Sequence, residues 1–512
     1  MNKLYYGDCL DVLRDHIPDE SIDLIYIDPP FNSKRNYNVI YDGAMAQAEA
    51  FKDTWSLTNL QEEKTLIFKK EPQRYQALHN VIDSFEKMLI NSEPSLLGYL
   101  INMSIRLVEL RRVLKDTGSI YLHCDPTASH YLKILMDEIF GRKNFRNEIV
   151  WCYKTRQFSK KYWNRKHDDI LFYSKSKKYP FYYKRVLNPL SESTIKKYKL
   201  IDETGRRYRL EGRGIQGSPI RSQKDVNEKW EKTNPELTIR DYLKDGYPPE
   251  DYWNINIINQ AAKERLGYAT QKPLELLERI INASCPEKGI VLDAFCGCGT
   301  TVAAAKKLNR HFIGVDITYL AIDLIKKRLI DTFYKDEKKF NKDVEIFGIP
   351  KDLEGARVLA KETKNDRVRK EFEKWAVFKA NGIYTEKKGA DYGLDGYLFL
   401  WDAGETKIKG VIQVKSGKVG VHQIRDFSHT IDREGASFGF FITLEEPTKN
   451  MFEEINKLPK VISKMGRGFD KIYIITVQDL LDEKLPSLPF GRMVKKAERI
   501  KQEEDNNIDM FE

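Results

Sequence analysis

GIVLDAFCGCGTTVAAAKKLNRHFIGVDI, residues 289–317, reads as strand, tight turn, helix and strand, with an acid closing each strand. Ile290 to Leu292 are continuously apolar, as a strand covered on both faces requires. Asp293, Phe295, Gly297 and Gly299 then form a tight turn. Thr300 or Thr301 begins a helix, and Phe312 to Val315 make the next strand, which ends at Asp316. Glycines in such a turn let the backbone come close to a ligand, and an acid about 20 residues on suits a ribose diol. The G-x-G-x-x-G spacing that cradles a pyrophosphate is absent, and a carboxylate at Asp293 would repel a phosphate. The turn therefore favours a ligand that carries both a ribose and positive charge.

The same alternation extends outward. Residues 1–176 read as strands and helices of a mostly parallel α/β sheet. "LGYLINMSIRLVELRRVLKD" and "YLKILMDEIFG" have helical spacing, while "TGSIYLHCD" and "NEIVWCY" read as strands. From 177 to 262 the period degrades into Arg, Lys, Tyr and Gly. This is either a solvated insert or a nucleic-acid surface, with cations for phosphates and aromatics for stacking. Regular α/β grammar returns over 263–334. Residues 335–355 look like a charged linker, 356–484 like a last compact unit, and 485–512 like a charged tail.

Bulk composition agrees with such a division. A chain of 512 residues is too long for one core, and 41% hydrophobic residues suffice to fill several. The net charge of +10 permits a polyanionic partner. The six scattered cysteines suggest reduced thiols rather than a disulfide framework. There is no signal-peptide core and no run of about 18 apolar residues. A cytoplasmic location is the expectation.

A second stretch, SIDLIYIDPPFNSKRNY at residues 21–37, ends a buried strand on Asp28, Pro29, Pro30 and Phe31. A carboxylate there is costly to desolvate, so it needs a chemical reason. One is the methylation of an exocyclic base amine, whose lone pair is delocalised into the ring. Acceptors on both amine hydrogens favour a pyramidal, nucleophilic nitrogen. Asp28 supplies one acceptor and the Pro29 carbonyl the other. The prolines stiffen the turn and remove competing donors, and Phe31 offers a face for stacking an extruded base. The methyl donor S-adenosylmethionine carries a sulfonium, an ammonium and a ribose, so it suits the acid-bearing turn better than a nicotinamide dinucleotide does.

DPPF followed much later by DAFCGCGTT resembles the DNA amino-methyltransferases in their permuted β-type order, with the catalytic motif first and the cofactor loop last. The resemblance covers residues 1–334. It implies a Rossmann-like sheet with an inserted target-recognition region, double-stranded DNA as partner, and S-adenosylmethionine as cofactor. It also implies that Asp8 in "LYYGDCLDVL" approaches the cofactor adenine. Thr270, Gln271, Lys272 and Pro273 would hold the amino-acid end, and Asp293, Phe295, Cys296, Gly297, Gly299, Thr300 and Asp316 would be further contacts. Asp at the first motif position favours adenine N6, with cytosine N4 as the alternative. Phe31 stands where Tyr is commoner. His123 and Asp125 in "YLHCDPTASHY" have positioning or core roles as alternatives to catalysis, and His167 is given no catalytic role.

In the last unit, Asp395 lies at a Gly-flanked turn and "VIQVKSG" places Gln413 and Lys415 on one strand face. An acid near a second acceptor and a lysine is how a Mg²⁺ site for phosphodiester hydrolysis is built. The unit resembles the Mrr-like branch of the PD-(D/E)xK nucleases over about residues 370–443, a smaller α/β restriction-endonuclease-like fold. That resemblance makes Asp395 the metal ligand, helped by Glu373 or Asp391. Gln413 brings no charge, so a DNA-binding module without cutting activity is the alternative.

Overall fold

The computed structural model describes residues 2–488, apart from 31–74, 156–158, 214–218, 221–225, 260–261, 263, 267, 269, 351–352, 362–365, 386–393, 403–405 and 464–465. Phe31 and Asp391 therefore lie outside the described residues. The larger sheet has nine strands. They are β1 (Asn2–Tyr6), β2 (Ile22–Ile27), β3 (Leu114–Cys124), β4 (Phe145–Cys152), β5 (His167–Ser174), β6 (Tyr252–Asn254), β7 (Ile290–Asp293), β8 (His311–Asp316) and β9 (Val344–Phe347). Across the sheet the order is β6-β4-β5-β3-β2-β7-β8-β1-β9. Only β5 runs against its neighbours; the other pairings are parallel.

Alternation along β2 splits its side chains between two cores. Ile25 and Ile27 pack under α1 (Cys9–His16), α2 (Gln76–Leu89), α3 (Pro94–Val113) and α4 (Ser129–Met136). Leu24 and Tyr26 pack under α5 (Leu274–Ser284), α6 (Thr300–Lys307) and α7 (Tyr319–Leu329). This is a three-layer sandwich with a doubly covered sheet, which explains why β2 and β7 are apolar without alternation. α3 is buried almost all round, Arg106 and Glu109 included.

Two stretches differ from expectation. Residues 335–355 hold a short helix and then β9, which pairs with β1 in parallel. A charged residue, Glu345, alternates there with Val344 and Ile346, as a half-covered edge strand allows. Within the insert, Leu200–Ile201, Arg207–Arg213, Pro219–Ile220 and Thr238–Tyr242 make a small antiparallel sheet, but β6 returns to the main sheet beside β4.

The last unit builds a five-stranded sheet from β10 (Ile383–Tyr384), β11 (Gly396–Asp402), β12 (Thr406–Lys415), β13 (Phe438–Thr443) and β14 (Ile472–Thr476), in that order. On one face, α8 (Asp366–Lys379) packs Phe372, Trp375 and Ala376 against Ile412 and Val414. On the other, α9 (Val421–Arg433) packs Ile424 and Phe427 against Val411 and Phe441. The Tyr319 and Phe378 rings stack at 6.4 Å between the two units. Among the described residues no helix is long and apolar enough to cross a membrane.

Candidate active site

Parallel strands bring their carboxyl ends to one edge of the sheet, where open α/β folds bind ligands. Here that edge is acidic. Asp8 follows β1, Asp28 follows β2, Asp125 follows β3, Asp293 ends β7 and Asp316 ends β8. Because β5 runs the other way, its start adds Asp168 to the same edge. All six acids line one cavity of about 580 Å³. It also takes in Pro29, Pro30, Thr270, Gln271, Lys272, Phe295, Cys296, Gly297 and Thr300. Motifs separated by more than 240 residues thus share one wall.

The turn after β7 is held by its own acids. Asp293 accepts the Phe295 N–H at 3.0 Å and the Thr301 hydroxyl at 2.6 Å. Asp316 accepts the Gly297 N–H at 2.8 Å, and the Thr318 N–H and hydroxyl at 2.9 and 2.7 Å. Among the described residues no cation bonds either acid. Burial pushes Asp293 up to about 7, against the Thr301 and Phe295 hydrogen bonds, with Asp28 and Asp316 adding repulsion. Burial likewise lifts Asp316 to about 6. Buried carboxyls without a cation are what a cationic ligand would complete, so the donor set fits S-adenosylmethionine. Burial also raises the Cys296 thiol, and all six cysteines are free.

Gly299 caps α6 at φ 73°, and a Cβ there would sit 2.5 Å from Ile325 Cγ1. Gly299→Ala combines left-handed strain with overlap against a fully buried side chain. We expect it to lower the thermal midpoint by several degrees and to weaken cofactor binding at least tenfold. Thermal melts and calorimetric titration check both.

Several partners were not foreseen. Lys272, expected at the cofactor's amino-acid end, donates to Asp28 Oδ2 at 2.5 Å, with both side chains largely buried. Asp8 caps α1 through the Leu10 N–H at 2.8 Å, and Arg106 grips it with Nη2 at 2.9 and 3.0 Å from its two oxygens. Gln271 accepts the Leu266 N–H and donates to the Glu264 carbonyl, clamping that loop, and Pro273 sits just before α5. Thr301 rather than Thr300 bonds Asp293; Thr300 takes a hydrogen bond from Arg328 at 3.3 Å.

His123 is fully buried in a relay. Its Nδ1 lies 2.9 Å from the Tyr26 hydroxyl, and its Nε2 lies 3.2 Å from Asp168. Tyr153 donates to the other Asp168 oxygen at 3.0 Å. Burial would raise Asp168, but the His123 hydrogen bond and charge, then Lys272, outweigh it and hold the carboxyl below its usual range. An ionised Asp168 can only accept, so Nε2–H donates to it, and in the neutral ring Nδ1 is then the acceptor for the Tyr26 hydroxyl. His123 is thus held at both ring nitrogens, between Tyr26 and Asp168. His167 also lines the cavity.

Residues 22–327, more than half of the chain, match the family described as DNA methylase of the N6/N4 type. The chain belongs to that DNA methylase family. Residues 368–473 match the Mrr-type restriction endonuclease family. The methylase unit is 32% identical over 265 residues to the type II methyltransferase M.EcaI of Enterobacter cloacae, covering 45% of this chain and 57% of that one. It is 27% identical over 356 residues to the Mod subunit of the type III restriction-modification enzyme StyLTI of Salmonella typhimurium, covering 60% of this chain and 50% of that one. The chain thus spans under two thirds of the length of both relatives. The solved complex of M1.HpyAVI with its cofactor shares 15% identity at a TM-score of 0.32, covering 64% of this chain and 99% of that one.

In the insert of the methylase, the expected cations and aromatics pair with each other. Arg206 lies over Tyr242 at 4.3 Å, Arg240 over Tyr208 at 4.8 Å, and Arg209 over Tyr198 at 5.0 Å. Arg209 also bonds Asp241 at 2.8 Å, so part of this charge stiffens the small sheet.

In the endonuclease-like unit, Gly396 pairs with Ile412, which puts Asp395 opposite Gln413 at the end of the β11–β12 ladder. Asp395 Oδ2 accepts the Val414 N–H at 2.7 Å. Gln413 is buried, and Lys415, two residues on along the same face, pairs in register with Thr443. Glu373 is carried by α8, the helix that covers the Ile412 and Val414 face. No cluster of three or more His, Cys, Asp or Glu able to hold a metal occurs among the described residues. Mg²⁺ is commonly held by one or two carboxylates, with water and substrate phosphate completing its shell. The Asp395 carboxylate and Gln413 amide fit that minimal arrangement.

Proposed function

We propose that this chain is a site-specific DNA methyltransferase that moves a methyl group from S-adenosylmethionine to adenine N6 of a base extruded from duplex DNA, and that its C-terminal unit is a Mg²⁺-dependent endonuclease. The observation that carries the first part is that Asp28-Pro29-Pro30 and the turn residues Asp293 to Cys298 open onto one cavity from adjacent strands. Asp293 and Asp316, with Phe295, Cys296, Gly297, Gly299 and Thr300, hold the cofactor, and Thr270 and Lys272 face it from across the cavity. When bound, the cofactor supplies a methyl already activated on a sulfonium. Asp28 and the Pro29 carbonyl accept the amine hydrogens, and alignment of amine and donor supplies about 7–11 kcal/mol of barrier reduction. Phe31 is assigned the stacking face. In the C-terminal unit, Asp395 and Gln413 would hold Mg²⁺, a source of activated water, and Lys415 would orient that water. An enzyme that marks its own sites and cuts unmarked DNA is a single-chain restriction–modification arrangement.

The test is incubation of the full chain with plasmid, cofactor and Mg²⁺, followed by nucleoside analysis and a gel. N6-methyladenine supports the reading. N4-methylcytosine transfers the acceptor to cytosine, and no methylated base overturns the reading.

The raised acids make cofactor binding pH-dependent. A cation beside Asp293 and Asp316 favours their ionised forms, so binding releases protons and affinity rises from about pH 5 to about pH 8. The ligand-free chain shows the opposite trend in stability. Both folded-state values lie above the ordinary 3.8, so the folded chain holds more protons than the unfolded one through roughly pH 4 to 7. Their contribution to stability is full below that window and is lost as pH rises through it. Titration calorimetry in buffers of different ionisation enthalpy checks the proton release, and melts with and without cofactor check the stability.

A further inference from the structure

Between β4 and β5, the described residues 153–155 and 159–166 are tied together at two places. The Tyr153 N–H donates to the Lys166 carbonyl at 2.9 Å, and Lys166 Nζ reaches the Thr155 carbonyl at 2.6 Å. Further along, the Ser159 N–H donates to Asn164 Oδ1 at 2.5 Å and the Lys161 N–H to Ser159 Oγ at 3.2 Å. Tyr162, Asn164 and Arg165 line the cavity that holds Asp28. Trp163, among them, is 96% exposed. An indole is one of the largest apolar surfaces a side chain offers, and one left almost wholly in water at the rim of an active site is poised for a partner.

Charge says which partner. Residues 154–166 carry six cations and no acid. The cavity behind them is lined by six acids, Asp8, Asp28, Asp125, Asp168, Asp293 and Asp316, against two cations besides the loop's own Arg165, namely Arg106 and Lys272. Phosphates are repelled from the cavity and attracted to the loop, so a bound DNA backbone runs along the rim while only a base passes inward. Extrusion of that base leaves a gap in the stack at the rim, where Trp163 stands.

We propose that Trp163 is a positioning residue for base extrusion: its indole enters the duplex at the step vacated by the target base, while the loop's cations hold the flanking phosphates. The proposal rests on the methyltransferase reading above. It assigns the target base to the cavity and Trp163 to the stack outside it. Aromatic stacking in the gap offsets part of the unstacking cost, which is smaller where the base is already unpaired.

The experiment uses the full chain in chelator, so that no DNA is cut, on oligonucleotides carrying its mapped methylation site with the target base paired or mismatched. For Trp163→Ala, kcat/KM on the paired target should fall about 10-fold to 100-fold, and on the mismatched target no more than about threefold. Trp163→Phe should recover most of the loss. A second readout is independent of transfer. The fluorescence of 2-aminopurine beside the target should rise when the unaltered chain binds, and this rise should be lost in Trp163→Ala at saturating protein. Equal loss on both substrates would overturn the proposal, because it would put the indole on the target base or in the fold. So would no loss on either. If the unaltered chain methylates neither substrate, the methyltransferase reading falls and takes this proposal with it.

Discussion

Asp28→Ala should reduce methyl transfer about a thousandfold or more while leaving S-adenosylmethionine affinity within about threefold. The asymmetry follows from position. Asp28 follows β2, whereas the turn proposed to take the cofactor follows β7 and has its own two buried acids. What alanine removes is the proposed acceptor for the base amine, an interaction that would matter in the transition state rather than in the cofactor complex. Lys272 sharpens the test. Its ammonium, 2.5 Å from Asp28, loses this one contact in Asp28→Ala and stays in a cavity rich in other acids, Asp168 among them. Asp28→Asn keeps an oxygen acceptor and the side-chain shape, so its loss should be smaller, about a hundredfold. Lys272→Met, which frees Asp28 to rotate, should cost about tenfold in kcat. A folded Asp28→Ala chain that no longer binds cofactor by calorimetry would show that the two roles are not divided in this way.

Much of this site was legible because its signals are local. A strand that ends on an acid, a glycine turn and the next strand's closing acid each lie within one short segment, and Asp28, Asp293 and Asp316 stand where those segments put them. What was hidden is what the sheet brings together across the chain. Arg106 reaches Asp8 over 98 residues and Lys272 reaches Asp28 over 244, and no periodicity carries such a pairing. An arginine within "SIRLVELRRV" was the available clue, since a helix buried all round keeps a cation only for a partner. Asp168 was missed because β5 runs against the sheet, and direction is not written in an apolar run. β9 was mistaken for linker because its charged alternate residue, at a sheet edge, looks like solvated chain. The basic insert left a solvated insert and a nucleic-acid surface both open, and several of its arginines stack on its own tyrosines.

The other large effect is expected in the C-terminal unit: Asp395→Asn should abolish DNA cutting, by about a hundredfold or more, and leave methyl transfer unchanged. Asparagine suits the experiment because Asp395 has two tasks. Its Oδ2 accepts the Val414 N–H at 2.7 Å and so holds the end of the β11–β12 ladder. An amide oxygen can keep that hydrogen bond, so the substitution removes the charge and spares the fold. With Gln413 neutral, Asp395 is the carboxylate on which the proposed Mg²⁺ site depends, and this concentrates the effect at one position. Lys415→Ala should have a similar effect for a different reason. Lys415 stands on the same strand face as Gln413, beside Thr443, and its loss removes the cation available to phosphate and water without touching the ladder. The separation from methyl transfer follows from the two sheets having their own cores, joined through contacts such as Tyr319 on Phe378. The decisive measurement pairs a cleavage assay with DNA binding, on both methylated and unmethylated plasmid. Cutting lost in both variants with DNA affinity retained establishes an endonuclease. An unaltered chain that binds but cuts neither plasmid makes the unit a DNA-binding module, and Asp395 then remains only as the residue that fastens Val414.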